Sequence, residues 1–264
     1  MWRTAGPSPM MALGVVLALA CAVQGSWSPC GLSMLSTITP LGERARHHAY
    51  AWSACWYIAG AAIGGACLGA CLLVAARAFA AVPHAVGAGL LVLGLGVSVC
   101  LAGDARIGGF RLPDVPRQLN ERWVGRMRPW AYASGFGWQV GTGVATYVMT
   151  NGVYALILLA VVALPPLEGL VVGVLFGTSR GMCLLVGARV RTPEQLRSLH
   201  FRLDRLAPWS IALPALAEIA VLAYVVVRSR STLAIVVGIG ASIFLGVTIL
   251  HRSWTRKPTA LVSP

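Results

Sequence analysis

Seven apolar runs, at residues 10–41, 50–76, 85–102, 131–163, 169–188, 209–227 and 232–250, fill most of this chain, and arginines crowd the stretches between them. In lipid, every backbone polar group must be bonded within its own segment, so runs of this length fold as helices. Five have the ordinary length for crossing a bilayer. The first and fourth exceed 30 residues, on the order of 48 Å as straight helices at about 1.5 Å per residue. Each is therefore expected to be broken within the membrane. The sequence marks the breaks: Gly25-Ser26-Trp27-Ser28-Pro29-Cys30-Gly31 in the first, and the glycine-rich 135–143 in the fourth, with Thr150-Asn151-Gly152 further on.

Composition excludes the soluble alternatives. A chain that is 57% hydrophobic and 11% charged, with mean hydropathy +0.75, is no soluble hydrolase or dehydrogenase. The net charge of +13 comes from 20 Arg and one Lys. These residues lie between apolar runs rather than on one face of a domain, which argues against nucleic acid as a partner. With eight Asp and Glu, five scattered His and no Cys-x-x-Cys-His, no metal or other cofactor is expected. The seven cysteines all fall inside or beside apolar runs and read first as small buried hydrophobes, not as a disulfide framework.

The arginines also set an orientation. Sixteen basic residues follow runs one, three, five and seven, from Arg44 and Arg46 to Arg256 and Lys257; the other side holds only Arg3, Arg77, Arg228 and Arg230. The positive-inside rule places the N-terminus outside and the C-terminus in the cytoplasm. Arg3 and the following apolar run resemble a signal peptide, but the repeat described next needs this segment as a first span. Arginine-rich, lysine-poor usage points to a bacterial plasma membrane.

Residues 65–77 read GACLGACLLVAAR and residues 177–189 read GTSRGMCLLVGAR, identical at eight of thirteen positions, Cys71/Cys183 among them, at an offset of 112. The same offset lays the first interruption on the fourth, pairing Gly25 with Gly137, Cys30 with Thr142 and Gly31 with Gly143. Three spans separate the copies, so the halves are inverted, as in many secondary transporters. The expected fold is an all-α polytopic membrane protein of seven transmembrane helices. It is a 3+3 inverted repeat with broken first and fourth helices and one extra C-terminal helix. Residues 1–103 form the first repeat, 104–130 a basic cytoplasmic connector, 131–227 the second repeat, and 228–264 the added helix and basic tail. Glycines four apart, Gly60/Gly64 and Gly65/Gly69 in run two and Gly169/Gly173/Gly177/Gly181 in run five, predict that these two helices pack closely, near the pseudo-twofold axis.

The most specific local feature is Ser28-Pro29-Cys30-Gly31. Ser28 suits an N-cap and Pro29 the first position of a half-helix, so a positive helix end points at Cys30 and favours the thiolate, the form that attacks disulfides. The bland alternative is a proline kink with Cys30 filling space. This motif, in an inverted repeat with its N-terminus outside, resembles the cytochrome c biogenesis and DsbD-type transmembrane electron carriers of the lysine-exporter superfamily. The resemblance implies transfer of reducing equivalents from a cytoplasmic thioredoxin to extracytoplasmic thiol proteins, through one cysteine in the first span and one in the fourth. Cys30 carries over. Its expected partner position holds Thr142, flanked by Gly141 and Gly143, so the two-cysteine relay is absent as written; Cys71 and Cys183 are either substitutes for the missing partner or, since the whole Cys-Leu-Leu-Val stretch repeats with them, matching helix-packing sites.

Two ionisable residues interrupt apolar runs, Arg180 in run five and Glu218 in run six, where charge is costly and functional. Either they bridge one another, or Arg180 holds an anionic solute in a cavity to which Gln139, Thr142, Thr146, Asn151, Ser33, Ser36, Thr37 and Thr39 add polar groups. The connector 104–128, with six Arg and three acids, either contacts anionic lipid headgroups or is a solvated link. Three functions stay open at this level: a thiol carrier using Cys30, a small-solute exporter using Arg180, Thr142 and Asn151, and a membrane assembly factor.

Overall fold

A computed structural model describes residues 8–83, 86–105, 123–124, 126–143 and 149–229. The seventh apolar run, most of the basic connector and Thr146 lie outside the described residues. All regular structure among the described residues is helical.

Run one divides as its sequence marks. Helix α1 (Pro9–Gln24) starts on Ser8, whose hydroxyl accepts from the Met11 N–H, and ends in a 3₁₀ turn, Gly25–Trp27. Helix α2 (Pro29–Thr37) restarts at once behind Ser28. A short α3 (Pro40–Ala45) follows, N-capped by Thr39. Then come α4 (Tyr50–Ala81), α5 (Val86–Asp104), α6 (Pro129–Thr142), α7 (Gly152–Val162), α8 (Pro166–Met182) with a 3₁₀ turn Cys183–Gly187, and α9 (Pro193–Ser229). Five helical segments are long and apolar enough to cross a membrane, Pro9–Trp27, Tyr50–Ala81, Gly87–Asp104, Pro166–Gly187 and Pro193–Ser229; Gly152–Val162 is apolar but shorter.

Run four is also discontinuous, and within the glycine-rich stretch 135–143 the break comes at its last glycine, Gly143. Helix α6 runs unbroken through Gly135, Gly137 and Gly141 and stops at Gly143, whose φ of 73° is the left-handed conformation that suits glycine. The glycines inside α6 serve packing instead. A Cβ on Gly137 would overlap the Tyr57 carbonyl, and one on Gly141 the Ala61 carbonyl; conversely, Gly60 abuts the Ser134 carbonyl and Gly64 that of Trp138. The small faces of α4 and α6 thus interlock along two turns.

The other face of α4 meets α8 in the same way. A Cβ on Gly65 would lie 2.6 Å from the Gly173 carbonyl oxygen, and one on Gly69 2.6 Å from that of Leu170. Helix α4 is therefore the centre of the bundle, held by backbone approach rather than by large side chains. Apolar clusters flank it: Leu17, Leu101, Leu156, Phe176 and Val221 join α1, α5, α7, α8 and α9, while Met34, Tyr57, Tyr132, Phe136 and Leu184 join α2, α4, α6 and the turn after α8.

Two boundaries differ from expectation. The basic stretch after run five is helical and continuous with run six, giving one 37-residue helix that carries Pro208 and Pro214 inside it. Asp104, read as the start of a connector, ends α5 and turns inward, where its carboxylate accepts from the Thr150 hydroxyl and, at 2.7 Å, from the Asn151 N–H. The far end of the connector is docked as well: Trp123 stacks on Phe136 at 5.6 Å.

Candidate functional site

The first break is built by four consecutive residues. Ser28 is fully buried; its hydroxyl donates to the Gly25 carbonyl at 2.7 Å and accepts from the Gly31 N–H at 2.9 Å, joining the end of one half-helix to the start of the next. Pro29, at the first helical position, forfeits only an N–H that would have no partner there. Gly31 is required by the fold-back, because a Cβ there would lie 2.6 Å from the Gly25 carbonyl oxygen and 2.7 Å from that of Ser26. Cys30 sits between them in the first turn of α2. It is 2% exposed, in a pocket of Met34, Ile38, Tyr57, Phe136 and Leu184.

Arg180 comes to this break from α8. Its guanidinium presses on the backbone of the first break, with Nε 2.6 Å from where a Cβ on Gly25 would stand, and lies over the Phe176 ring at 5.9 Å. It is 5% exposed and its Nε is buried without a hydrogen-bond partner. Arg180, Gly25, Ser26, Gly31, Tyr57 and Cys183 line one small cavity of about 10 Å³, room for a single water. The ionisable groups around the guanidinium are Tyr57 and the thiols of Cys30, Cys183 and Cys21.

Arg180 and Glu218 do not bridge. Among the described residues the ion pairs are those of Glu43 with Arg46 and His48, and Arg180 and Glu218 belong to different places. Glu218, fully buried on α9, stands by the start of α7: its Oε1 is 3.4 Å from where a Cβ on Gly152 would be, and the Cys21 sulfur lies 2.8 Å from that same point. Helix α8 turns its arginine to the first break while α9 turns its glutamate to the second, a separation that spacing in the sequence does not reveal.

The other expected site residues are distributed as follows. Thr142 is buried at the last turn of α6, its hydroxyl donating to the Gln139 carbonyl at 2.8 Å, and it is not among the residues lining the Arg180 cavity. Asn151 is bound through its backbone to Asp104. Cys71 is exposed on α4, whereas Cys183 is half-buried beside the first break, its thiol donating to the Ser179 carbonyl at 3.3 Å. The two cysteines related by the repeat therefore do not meet. All seven cysteines are thiols.

One polar centre was missed. Glu43 is fully buried on α3 and accepts from Ser53 at 2.7 Å, from the Tyr132 hydroxyl at 2.8 and 2.9 Å, and from Arg46 at 2.7 Å. The network ties α3, α4 and α6 together. In sequence it hides within a short basic turn, and only Tyr132, 89 residues away, reveals it as a core site.

Five helices of spanning length, two discontinuous apolar runs and a buried arginine at one break define an integral membrane protein of all-helical type. Its similarity is to "Methylamine utilization protein MauF": 32% identity over 153 residues with the protein of Methylobacillus flagellatus, covering 56% of this chain and 52% of that protein. With the Paracoccus denitrificans protein of the same name, identity is 31% over 188 residues, covering 70% of this chain and 66% of that protein. The chain thus spans between about half and two thirds of the length of these curated relatives. No protein-family model matches it, and no solved structure matches it significantly.

Proposed function

We propose that this chain is a membrane-embedded maturation factor that carries reducing equivalents between thiol proteins on the two sides of a bacterial plasma membrane. Cys30 is the attacking thiol and Cys183 the resolving one. The observation that carries the reading is the surroundings of Arg180. A buried guanidinium with no carboxylate beside it among the described residues needs an anion, yet the space before it holds about one water. That volume disfavours a transported solute and favours an anion supplied by the chain, for which the neighbouring thiols are the available groups.

In the proposed cycle the Cys30 thiolate attacks a disulfide of a thioredoxin-like partner, forming a mixed disulfide and releasing one partner thiolate. Cys183, as thiolate, then attacks the Cys30 sulfur. The partner leaves as a dithiol after taking up two protons, and a Cys30–Cys183 disulfide remains, oxidised by two electrons. A second dithiol protein, on the opposite side, reduces it by the reverse exchange. Cys183 thereby replaces the thiol missing at Thr142. The similarity to "Methylamine utilization protein MauF" extends the proposal to methylamine utilization as the setting.

The orientation with the N-terminus outside and the inverted repeat belong to the same proposal, and the repeat has support in the helix contacts. Two of them recur when the offset of 112 is applied. A Cβ on Gly65 would be 2.6 Å from the Gly173 oxygen, and its counterpart on Gly177 2.5 Å from the Ala61 oxygen; Gly173 meets Gly69, and Gly181 meets Ala61.

Thiol trapping in membranes tests the chemistry. With an external oxidant, wild type should lose reactivity toward a mass-adding maleimide at Cys30 and Cys183 together. Cys183→Ser should instead accumulate a mixed disulfide with the partner, and Cys30→Ser should form neither product. If Cys30 stays reduced under the oxidant and Cys30→Ser supports growth on methylamine as wild type does, the carrier reading is wrong.

A further inference from the structure

We propose that Glu218 is a proton-carrying carboxyl, bound at the second discontinuity of the bundle and separate from the thiol site. The side chain is fully buried, and neither carboxylate oxygen has a hydrogen-bond partner. The donors nearby are engaged elsewhere: the Thr150 hydroxyl and the Asn151 N–H serve Asp104, and the Gly152 N–H donates to Thr150 at 3.0 Å. A bare carboxylate in such a place costs far more than a neutral acid. The ligand that removes the charge and demands no extra space is a proton.

Among the described residues, the groups facing Glu218 supply no compensating cation. Helix α5 brings Asp104 and Cys100, and α1 brings Cys21. Helix α7 contains no charged residue, and Glu218 is the only charged residue in the stretch 206–227 of α9. Arg180 of α8 is turned to Gly25. Asp104, held by Thr150 and Asn151, adds negative charge on the facing side, which further disfavours a charged Glu218. A costly ionisable group in a membrane helix, at the start of a half-helix, is the arrangement of proton-handling sites. This inference does not rest on the thiol chemistry.

Infrared difference spectroscopy of the full chain in lipid nanodiscs, stepped between acid and alkaline buffer, reads the group directly. Wild type should show the carbonyl stretch of a buried protonated carboxyl at neutral pH. Glu218→Gln should lose it, Glu218→Asp should shift it, and Cys30→Ser should keep it, so that failure of the carrier reading leaves this result standing. Absence of the band at neutral pH, or its persistence in Glu218→Gln, overturns the proposal. Loss of the band on adding Na⁺ at constant pH also overturns it, in favour of a cation site. If Glu218→Gln does not assemble, an unshifted band in Glu218→Asp is the overturning result.

Discussion

Gly65 of α4 and Gly177 of α8, separated by 112 residues and equivalent in the internal repeat, stand back to back: a Cβ on Gly177 would lie 2.5 Å from the Gly65 Cα, and one on Gly65 2.9 Å from the Gly177 Cα. Even one methyl group has no place between these backbones, and it cannot rotate away, because its neighbours are main-chain atoms. Gly65→Ala and Gly177→Ala should each destabilise the bundle by about 1–3 kcal/mol, the usual cost of overpacking. Gly87→Ala, with open space around it, should be neutral or slightly stabilising. Thermal unfolding of the detergent-solubilised variants, followed by size-exclusion recovery, separates the two outcomes. Equal midpoints for Gly65→Ala and Gly87→Ala would contradict the packing.

Tyr132 and Ser53 both donate to the buried Glu43 carboxylate. Hydrogen bonds to a charged group are worth roughly 1.5–3 kcal/mol, so Tyr132→Phe should lower the unfolding free energy by about that amount. Because the two donors serve one carboxylate, their losses should be coupled. Tyr132→Phe combined with Ser53→Ala should differ from the sum of the single changes by more than about 0.5 kcal/mol, and two distant, additive effects would argue against a shared network.

How far the sequence revealed this arrangement depends on whether a feature is local. Ser28-Pro29-Cys30-Gly31 is legible because a cap, a proline and a glycine act on their own neighbours, and the structure puts a helix start at Pro29. The glycines spaced by four residues in α4 and α8 are legible for a similar reason, since they can only be a face for close approach. The glycines of α6 carry the same signal but lie within an over-long run, where they read as a break; the stop comes at Gly143, where the backbone turns left-handed. Glu43, Asp104 and the separation of Arg180 from Glu218 were not legible. Each is decided by a partner 46 to 89 residues away or by the rotation of a helix about its axis, and a run that is apolar all round fixes neither.

Arg180→Met should leave the bundle folded, because an apolar side chain of similar length fills the same space without the cost of a buried charge. The thiol beside it should suffer instead. Without the guanidinium, alkylation of Cys183, which lines the same small cavity, should slow by about tenfold, reflecting the loss of a neighbouring cation. Arg180→Lys should recover part of the rate. A variant that unfolds, with thiols that react at the wild-type rate before it does so, would make Arg180 a structural residue.

Ser28 ties the two halves of run one through a single oxygen, donating to Gly25 and accepting from Gly31. Ser28→Ala removes both bonds and leaves the Gly31 N–H without its cap, a loss of about 1 kcal/mol for the helix start. For Cys30, buried in the first turn of that half-helix, the consequence is exposure. Fraying of the turn should open the sulfur, so alkylation of Cys30 in membranes should speed up in Ser28→Ala and stay at the wild-type rate in Ser28→Thr, which keeps the cap. A Cys30 that reacts at the wild-type rate in Ser28→Ala would show that the cap does not hold the sulfur in place, and Ser28 would be left as a link between two half-helices without influence on the thiol.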